Sequence, residues 1–212
     1  MSRCRISLIT AGGKSSRFGS YKALAIVDTE PIIVRIVRKL LSASFRVFIA
    51  VKNEKQLSTL VATLSNYGLE RAVTIVIDHI RDLFHPLIPI YTLSRLIDDP
   101  FLVVACDMPN IGTRSILYLY ENADKNTSAV VPRWSNGYLE PLFAVYNPRH
   151  IRRMPVERYV RRGSSMREFI HDLENVGKVV YIPAEHVLLA EQQEHVFTNI
   201  NRPQDIAYTG QF

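Results

Sequence analysis

Cysteine is nearly absent: the 212 residues hold only Cys4 and Cys106, too few for a disulfide framework or a thiolate metal cluster. Each lies in or beside an apolar, strand-like segment, so both are expected to be small buried thiols. No apolar run approaches the roughly 18 residues that a membrane span needs. The start, MSRCRISLIT, enters a strand-like run directly and lacks a secretory-signal core with its small-residue cleavage site. These absences favour a soluble, cytoplasmic protein. The six histidines show no zinc-ligand spacing. There is no internal repeat, low-complexity tract or linker, so one domain over 1–212 is expected.

What is present is an ordinary globular composition, 47% apolar and 22% charged, which excludes general disorder. The net charge of +6 favours an acidic partner such as a polyphosphate, an anionic substrate or nucleic acid. The stretch NPRHIRRMPVERYVRRG concentrates six arginines between Arg149 and Arg162. It has too few aromatics for a single-strand stacking platform, and no nucleic-acid motif accompanies it. A solvated helical face accounts for it, with an anionic acceptor or a partner as the alternative.

β-branched runs alternate with helical patterns through the first half. Strands are expected at 5–10, 46–51, 73–77 and 101–105. Helices are expected at 31–43, around Leu57, Leu60, Val61 and Leu64, and at about 86–97. This βαβ alternation predicts a three-layer α/β/α domain of Rossmann-like form with a mostly parallel sheet. The second half is less regular. A helix capped by Thr113 should run to about Glu121, strands are expected at 128–131, 141–146 and 179–182, and Ser165-Met166-Arg167-Glu168 fits a capping box.

Chemistry concentrates in ITAGGKSSRFGSYKAL, residues 9–24. Gly13-Lys14-Ser15 resembles the end of a Walker A loop, but the glycine required five positions earlier is Leu8. The dinucleotide fingerprint fails as well, since Lys14 occupies its second glycine position. What remains is a strand ending in Thr10, then Ala11-Gly12-Gly13, then a loop carrying Arg17 and Lys22. Adjacent glycines after a strand allow close backbone approach to a ligand, and successive N–H groups can cradle an anion. A tight turn with solvated cations is the competing structural explanation. The second element is FLVVACDMPNI, where Asp107 ends a buried strand on the edge that also carries the glycine loop. Polyphosphate transfer commonly uses Mg²⁺, which takes one or two carboxylates plus phosphate oxygens and waters. Asp107 suits that part; the alternative is a turn or capping aspartate. Trp134 in PRWSNGYLEP fits an acceptor loop and an ordinary exposed turn equally well.

Residues 8–24 (LITAGGKSSRFGSYKAL), CDMP at 106–109, EPLFAVY at 140–146, RRGSSMREFI at 161–170 and FTNINRPQD at 197–205 together resemble the nucleotidyltransferases of the molybdenum cofactor guanylyltransferase (MobA) type, in family order over nearly the whole chain. The resemblance implies a nucleotide-binding part over about 1–110 and an acceptor part over about 111–212. It implies Mg²⁺-dependent transfer of GMP from GTP to the phosphate of molybdopterin, with release of pyrophosphate. Thr10, Ala11, Gly12, Gly13, Lys22, Asn53, Asp78 and Asp107 would bind the nucleotide. Lys22, Asp107 and Arg17 would act in catalysis, Asp107 would hold Mg²⁺, and Asn199 and Asn201 would meet the acceptor. The implied partners are GTP, molybdopterin and a molybdoenzyme or cofactor-insertion protein that receives product; neither nucleic acid nor membrane is implied. A guanylyltransferase for another phosphorylated cofactor, such as adenosylcobinamide phosphate, and a non-catalytic nucleotide-binding regulator are the alternatives. Two positions depart from the pattern. Tyr21 replaces an acidic residue before Lys22, and His85-Pro86-Leu87 stands in place of Gly-Pro-Leu. A histidine there could crowd the pocket, add a contact or point away.

Overall fold

The computed structural model describes residues 4–13, 18, 21–124, 126–192, 196–200, 202, 204 and 205. Its first strand, β1 (Arg5–Thr10), is flanked in parallel by β4 (Phe45–Val51) on one side and β6 (Phe101–Ala105) on the other. β5 (Val73–Ile77) adds in parallel beyond β4. Connections between neighbouring parallel strands are right-handed. Travelling outward, β1–α1–β4 and β4–α2–β5 therefore place α1 (Ile32–Ser42) and α2 (Glu54–Asn66) on one face. The return from β5 to β6 reverses direction, so α3 (Leu87–Ser94) packs on the opposite face. That reversal creates a crevice beyond the carboxyl ends of β1 and β6, where ligands of open α/β sheets bind. Two further short strands, β2 (Ile26–Val27) and β3 (Glu30–Pro31), form a separate antiparallel ribbon before α1.

α4 (Thr113–Glu121) leads into β7 (Thr127–Arg133), which turns through a hairpin into β8 (Phe143–Tyr146). A hairpin can only join antiparallel partners, and β8 runs antiparallel to both β6 and β7. The turn places Gly137 at φ 85°, a conformation that favours glycine. Three short helices follow, α5 (Pro148–Ile151), α6 (Val156–Arg162) and α7 (Met166–Leu173), and then β9 (Lys178–Pro183), parallel to β7, and α8 (Ala184–Glu191). The complete sheet has seven strands in the order β5-β4-β1-β6-β8-β7-β9. Helices α1, α2, α4 and α8 bury Ile36, Leu60, Ile116 and Val187 against one face, while α3, α6 and α7 bury Leu93, Val160 and Phe169 against the other. The expected mostly parallel three-layer arrangement is what forms. Among the described residues, no helix is long and apolar enough to cross a membrane.

Several local expectations need correction. Thr113 does not cap α4: Gly112 is the cap residue and Thr113 the first helical one. The capping acceptor comes from α8, where Glu191 Oε2 accepts the Ser115 N–H at 2.9 Å. A Cβ on Gly112 would fall 1.7 Å from Glu191 Cδ, so only glycine leaves the carboxylate its place. Gly112→Ala should therefore expel the cap and cost about 1–2 kcal/mol. Equilibrium denaturation should show little added loss when Gly112→Ala is combined with Glu191→Ala, because both remove the same contact.

The capping box at Ser165 is half formed. Ser165 Oγ accepts the Glu168 N–H at 3.1 Å, whereas the Glu168 carboxylate accepts from Ser164 Oγ instead. The strand expected at 141–146 starts only at Phe143, and the third helix is shorter than 86–97. Cys4 is exposed, because it precedes β1 and gains no cover from the sheet. Cys106 keeps a covered thiol, which burial and the Asp107 carboxylate push up to about 12. The arginine-rich stretch is also not uniformly solvated. Arg152 donates to the Ile97 carbonyl at 2.8 Å and Asp98 at 2.7 Å and also to the Ser94 carbonyl, tying α5 to the end of α3.

Candidate active site

Four segments leave the carboxyl edge of the sheet side by side, those after β1, β4, β5 and β6. The first is fixed at Ala11, whose N–H donates to the Ala50 carbonyl at 2.9 Å and whose carbonyl accepts the Tyr21 hydroxyl at 2.8 Å. Tyr21 thus ties the far end of the glycine loop back to the strand exit. Burial, with the nearby Cys106 and Asp78, drives its phenol well above the usual tyrosine range, so it serves as a neutral donor. The residue that replaces an acid here supplies a hydrogen bond rather than a charge. Directly after it, a single 3₁₀ turn at Lys22–Leu24 starts with the lysine pointing at β6.

The two glycines differ. A Cβ on Gly12 would lie 3.2 Å from both Asp78 Oδ2 and the Lys52 backbone nitrogen, so the protein itself needs the close approach. A Cβ on Gly13 would meet nothing within 4 Å among the described residues. Gly13 therefore faces open space, and any demand for glycine there comes from a ligand. Arg17 lies outside the described residues.

Asp107 follows β6, with Oδ2 accepting from Lys22 Nζ at 2.6 Å. Both side chains are mostly covered, Lys22 15% and Asp107 24% exposed. Oδ1 is buried and has no hydrogen-bond partner among the described residues. The following loop is held by cations on α1: Arg35 Nε donates to the Pro109 carbonyl at 3.2 Å and Lys39 Nζ to the Ile111 carbonyl at 2.6 Å. The Asp107 carbonyl accepts the Ile200 N–H at 2.9 Å, which brings the FTNIN segment to this loop. Asn199 is exposed beside that contact; Asn201 lies outside the described residues.

Asn53 caps α2, its Oδ1 accepting the Gln56 N–H at 3.0 Å. Asp78 follows β5, 4% exposed, with its N–H donating to the Val51 carbonyl at 2.8 Å. Thr10, Ala11, Gly12, Gly13, Lys22, Asn53, Asp78 and Asp107 consequently share one edge. His85 points away from crowding. Its Nδ1 accepts the Leu87 N–H at 3.1 Å at the head of α3, leaving Nε2 to donate to the Ser164 carbonyl at 2.6 Å. The imidazole is a strut between α3 and the α6–α7 loop.

Three residues escaped sequence reading. Gln56 accepts the Lys52 N–H at 2.7 Å and donates to the Gly13 carbonyl at 3.4 Å, coupling α2 to the glycine loop. Its signal was the spacing Asn53-x-x-Gln56, a helix-start pattern. Glu140 accepts the Trp134 indole N–H at 2.8 Å; burial raises its carboxyl, as does the charge of Asp107. Trp134 in turn meets Phe197 edge-on at 5.2 Å between centroids. The Asp107 charge is therefore felt by an acidic group of the hairpin, and the hairpin is packed on the FTNIN segment through Phe197. The third, Lys52, is fully buried, and nothing in the sequence marks it.

The chemistry open to this edge is the binding of a polyphosphate over backbone N–H groups, with one ammonium and one carboxylate set where charge shifts. Probable molybdenum cofactor guanylyltransferase of Pyrococcus furiosus is 36% identical over 212 residues, spanning 95% of this chain and 94% of its own. The protein of the same name from Thermococcus sibiricus is 32% identical, with 95% of each chain covered. Among solved structures, molybdopterin-guanine dinucleotide biosynthesis protein A from Archaeoglobus fulgidus superposes with a TM-score of 0.78 over 97% of this chain and 96% of its own, at 23% identity. Residues 7–176 match the MobA-like NTP transferase domain, and the chain belongs to that family of nucleotidyltransferases.

Proposed function

We propose that the chain transfers GMP from GTP to the phosphate of molybdopterin and releases pyrophosphate. The observation that carries this is the Lys22–Asp107 pair, placed beside the Gly12–Gly13 cradle and tied through the Asp107 carbonyl to Ile200 of the FTNIN segment. The relatives' names support guanylyl and molybdenum-cofactor specificity, and the shared strand edge supports a nucleotide site beside the FTNIN segment.

An acceptor phosphate oxygen forms a bond to the α-phosphorus as the bond from that phosphorus to the bridging oxygen breaks. The electron pair leaves with pyrophosphate. A phosphate nucleophile is already largely ionised near neutral pH, so no general base is required. The Gly12–Gly13 backbone receives the triphosphate, Lys22 balances charge on the departing pyrophosphate, and positioning carries most of the rate.

The residues present fit a magnesium ion. Asp107 Oδ1 is a buried acceptor with no protein partner among those described, and Mg²⁺ is commonly held by one or two carboxylates together with phosphate oxygens and waters. No cluster of three or more His, Cys, Asp or Glu side chains stands among the described residues, so a closed all-protein cage is not the arrangement. When bound, the ion would offset phosphate charge and polarise the α-phosphate. Asp107 would hold it, with Glu140 able to contribute from the hairpin.

Calorimetric titration tests the nucleotide half: GTP should bind more tightly than ATP, CTP or UTP, and equal affinity for all four would contradict the assignment. Gly13→Ala gives a cleaner test of the cradle. Its Cβ meets no atom of the described residues, so thermal unfolding should be unchanged while GTP affinity falls about tenfold or more. Unchanged affinity would remove Gly13 from the phosphate site.

A further inference from the structure

We propose that Lys52 is a positioning residue for nucleotide recognition: its buried ammonium clamps the segment after β5 to the end of β4 and holds Asp78 as an ionised acceptor for the nucleoside. This rests on the reading that the cradle binds GTP.

Lysine is rarely buried without a partner, because its ammonium loses water on entering the core. The Lys52 side chain is 4% exposed and that of Asp78 5%. Lys52 Nζ donates to the Ile80 carbonyl at 2.6 Å and also to the Leu83 carbonyl, and it stands 4.9 Å from the centre of the Phe84 ring. Those bonds fasten residues 80–84 to the exit of β4. Lys52 Nζ is 3.9 Å from Asp78 Oδ2, within ion-pair range but beyond a hydrogen bond.

Asp78 is thereby charged yet unsatisfied. Its Oδ1 is buried with no partner among the described residues, and Oδ2 lies against Gly12, where even a Cβ would come to 3.2 Å. A lysine with a purely structural task would neutralise the carboxylate by direct bonding. Here two of its donors go to carbonyls, and the carboxylate keeps a buried acceptor atom without a partner among the described residues, next to Gly12. An ionised carboxylate only accepts hydrogen bonds. It therefore selects ligands that present N–H or O–H donors, as a nucleoside does.

Among the described residues, few groups face Asp78. Lys52 comes from the end of β4, the neutral phenol of Tyr21 from the segment before the 3₁₀ turn, and the backbone of Gly12 from the glycine loop. Asp82 acts on Lys52 and is itself within 3.9 Å of Arg161 on α6. His79, next in sequence, turns its ring to Arg95 at 2.7 Å. Burial pushes the Asp78 carboxyl up to about 6, with Lys52 pulling it down. Since the ionised form is the binding form, affinity is full above that value and falls about tenfold per pH unit below it. Losing the lysine charge moves the fall to higher pH.

The test is GTP affinity from pH 5 to 9 for wild type, Lys52→Met and Asp78→Asn, with Asp78→Asn correcting for titration of the nucleotide's own phosphates. A fall in wild-type affinity near pH 6, displaced upward by about one unit or more in Lys52→Met and absent in Asp78→Asn, is the expected result. A Lys52→Met protein that loses the same affinity at every pH, or falls at the wild-type pH, overturns the proposal and leaves the GTP reading intact. Wild type that binds no GTP at any pH overturns the GTP reading itself. Should Lys52→Met fail to fold, carboxyl ¹³C titration of Asp78 in the wild type decides. A midpoint near 6 that moves down on GTP binding supports an ionised acceptor, and a midpoint unmoved by GTP overturns it.

Discussion

Asp107→Ala will lower turnover by about 10³-fold or more while leaving the fold in place. The Asp107 carboxylate meets the Lys22 ammonium through Oδ2 and keeps a buried Oδ1 without a partner among the described residues. Removing it deletes both the counter-charge that orients Lys22 and the oxygen suited to Mg²⁺. The loop itself should survive. Its anchors are Arg35 and Lys39 to the Pro109 and Ile111 carbonyls and the Ile200 N–H to the Asp107 backbone carbonyl, none of which uses the carboxylate. Circular dichroism and thermal unfolding should therefore resemble wild type. Asp107→Asn separates charge from shape: it keeps the volume and should lose nearly as much rate. An asparagine variant with close to wild-type turnover would remove Asp107 from the mechanism.

Lys22→Ala should cost about 10²–10³-fold in kcat/KM, through lost stabilisation of charge on the leaving pyrophosphate. The informative comparison is with the double variant. If Lys22 and Asp107 act as a unit, Lys22→Ala/Asp107→Ala should be little slower than Asp107→Ala alone. Multiplicative losses would show two independent roles. Lys22→Arg should recover only part of the activity, since a planar guanidinium cannot reproduce a compact ammonium against Asp107.

The first half of the fold was legible because its signals are local and repeated. The stripe Ile32, Ile33, Ile36, Val37, Leu40 and Leu41 has a helical period, and all of it but the half-buried Leu41 is buried in α1. The strands at Arg5–Thr10, Val73–Ile77 and Phe101–Ala105 fall where β-branched runs predicted them. Beyond β7 the signals fade. Pro148 and Pro155 divide the arginine-rich stretch into helices of 4 and 7 residues, too short for a period to emerge. α8 hides for another reason: its apolar residues are spread around the helix, with Val187 buried and Leu189 72% exposed. A two-residue strand such as β2 has no sequence signature at all.

The site divides along the same line. Gly12, Lys22 and Asp107 were visible because motifs place them relative to strand ends. Structure changes what two of the odd positions mean, since Tyr21 anchors Ala11 and His85 braces two segments away from the cradle. Lys52 and Glu140 were invisible because their importance lies in what surrounds them. One is a buried cation among carbonyls from β5's exit, the other a carboxylate held by an indole on a separate hairpin, its carboxyl raised by burial and by the charge of Asp107. Such placements depend on tertiary contacts between segments tens of residues apart.

The most direct test of the account is pyrophosphate release with each of the four nucleoside triphosphates crossed against molybdopterin and adenosylcobinamide phosphate, with and without Mg²⁺. The account predicts release only with GTP, molybdopterin and Mg²⁺ together. Equal release with cobinamide phosphate, indifference to the acceptor, or GTP binding with no release under any combination would contradict it.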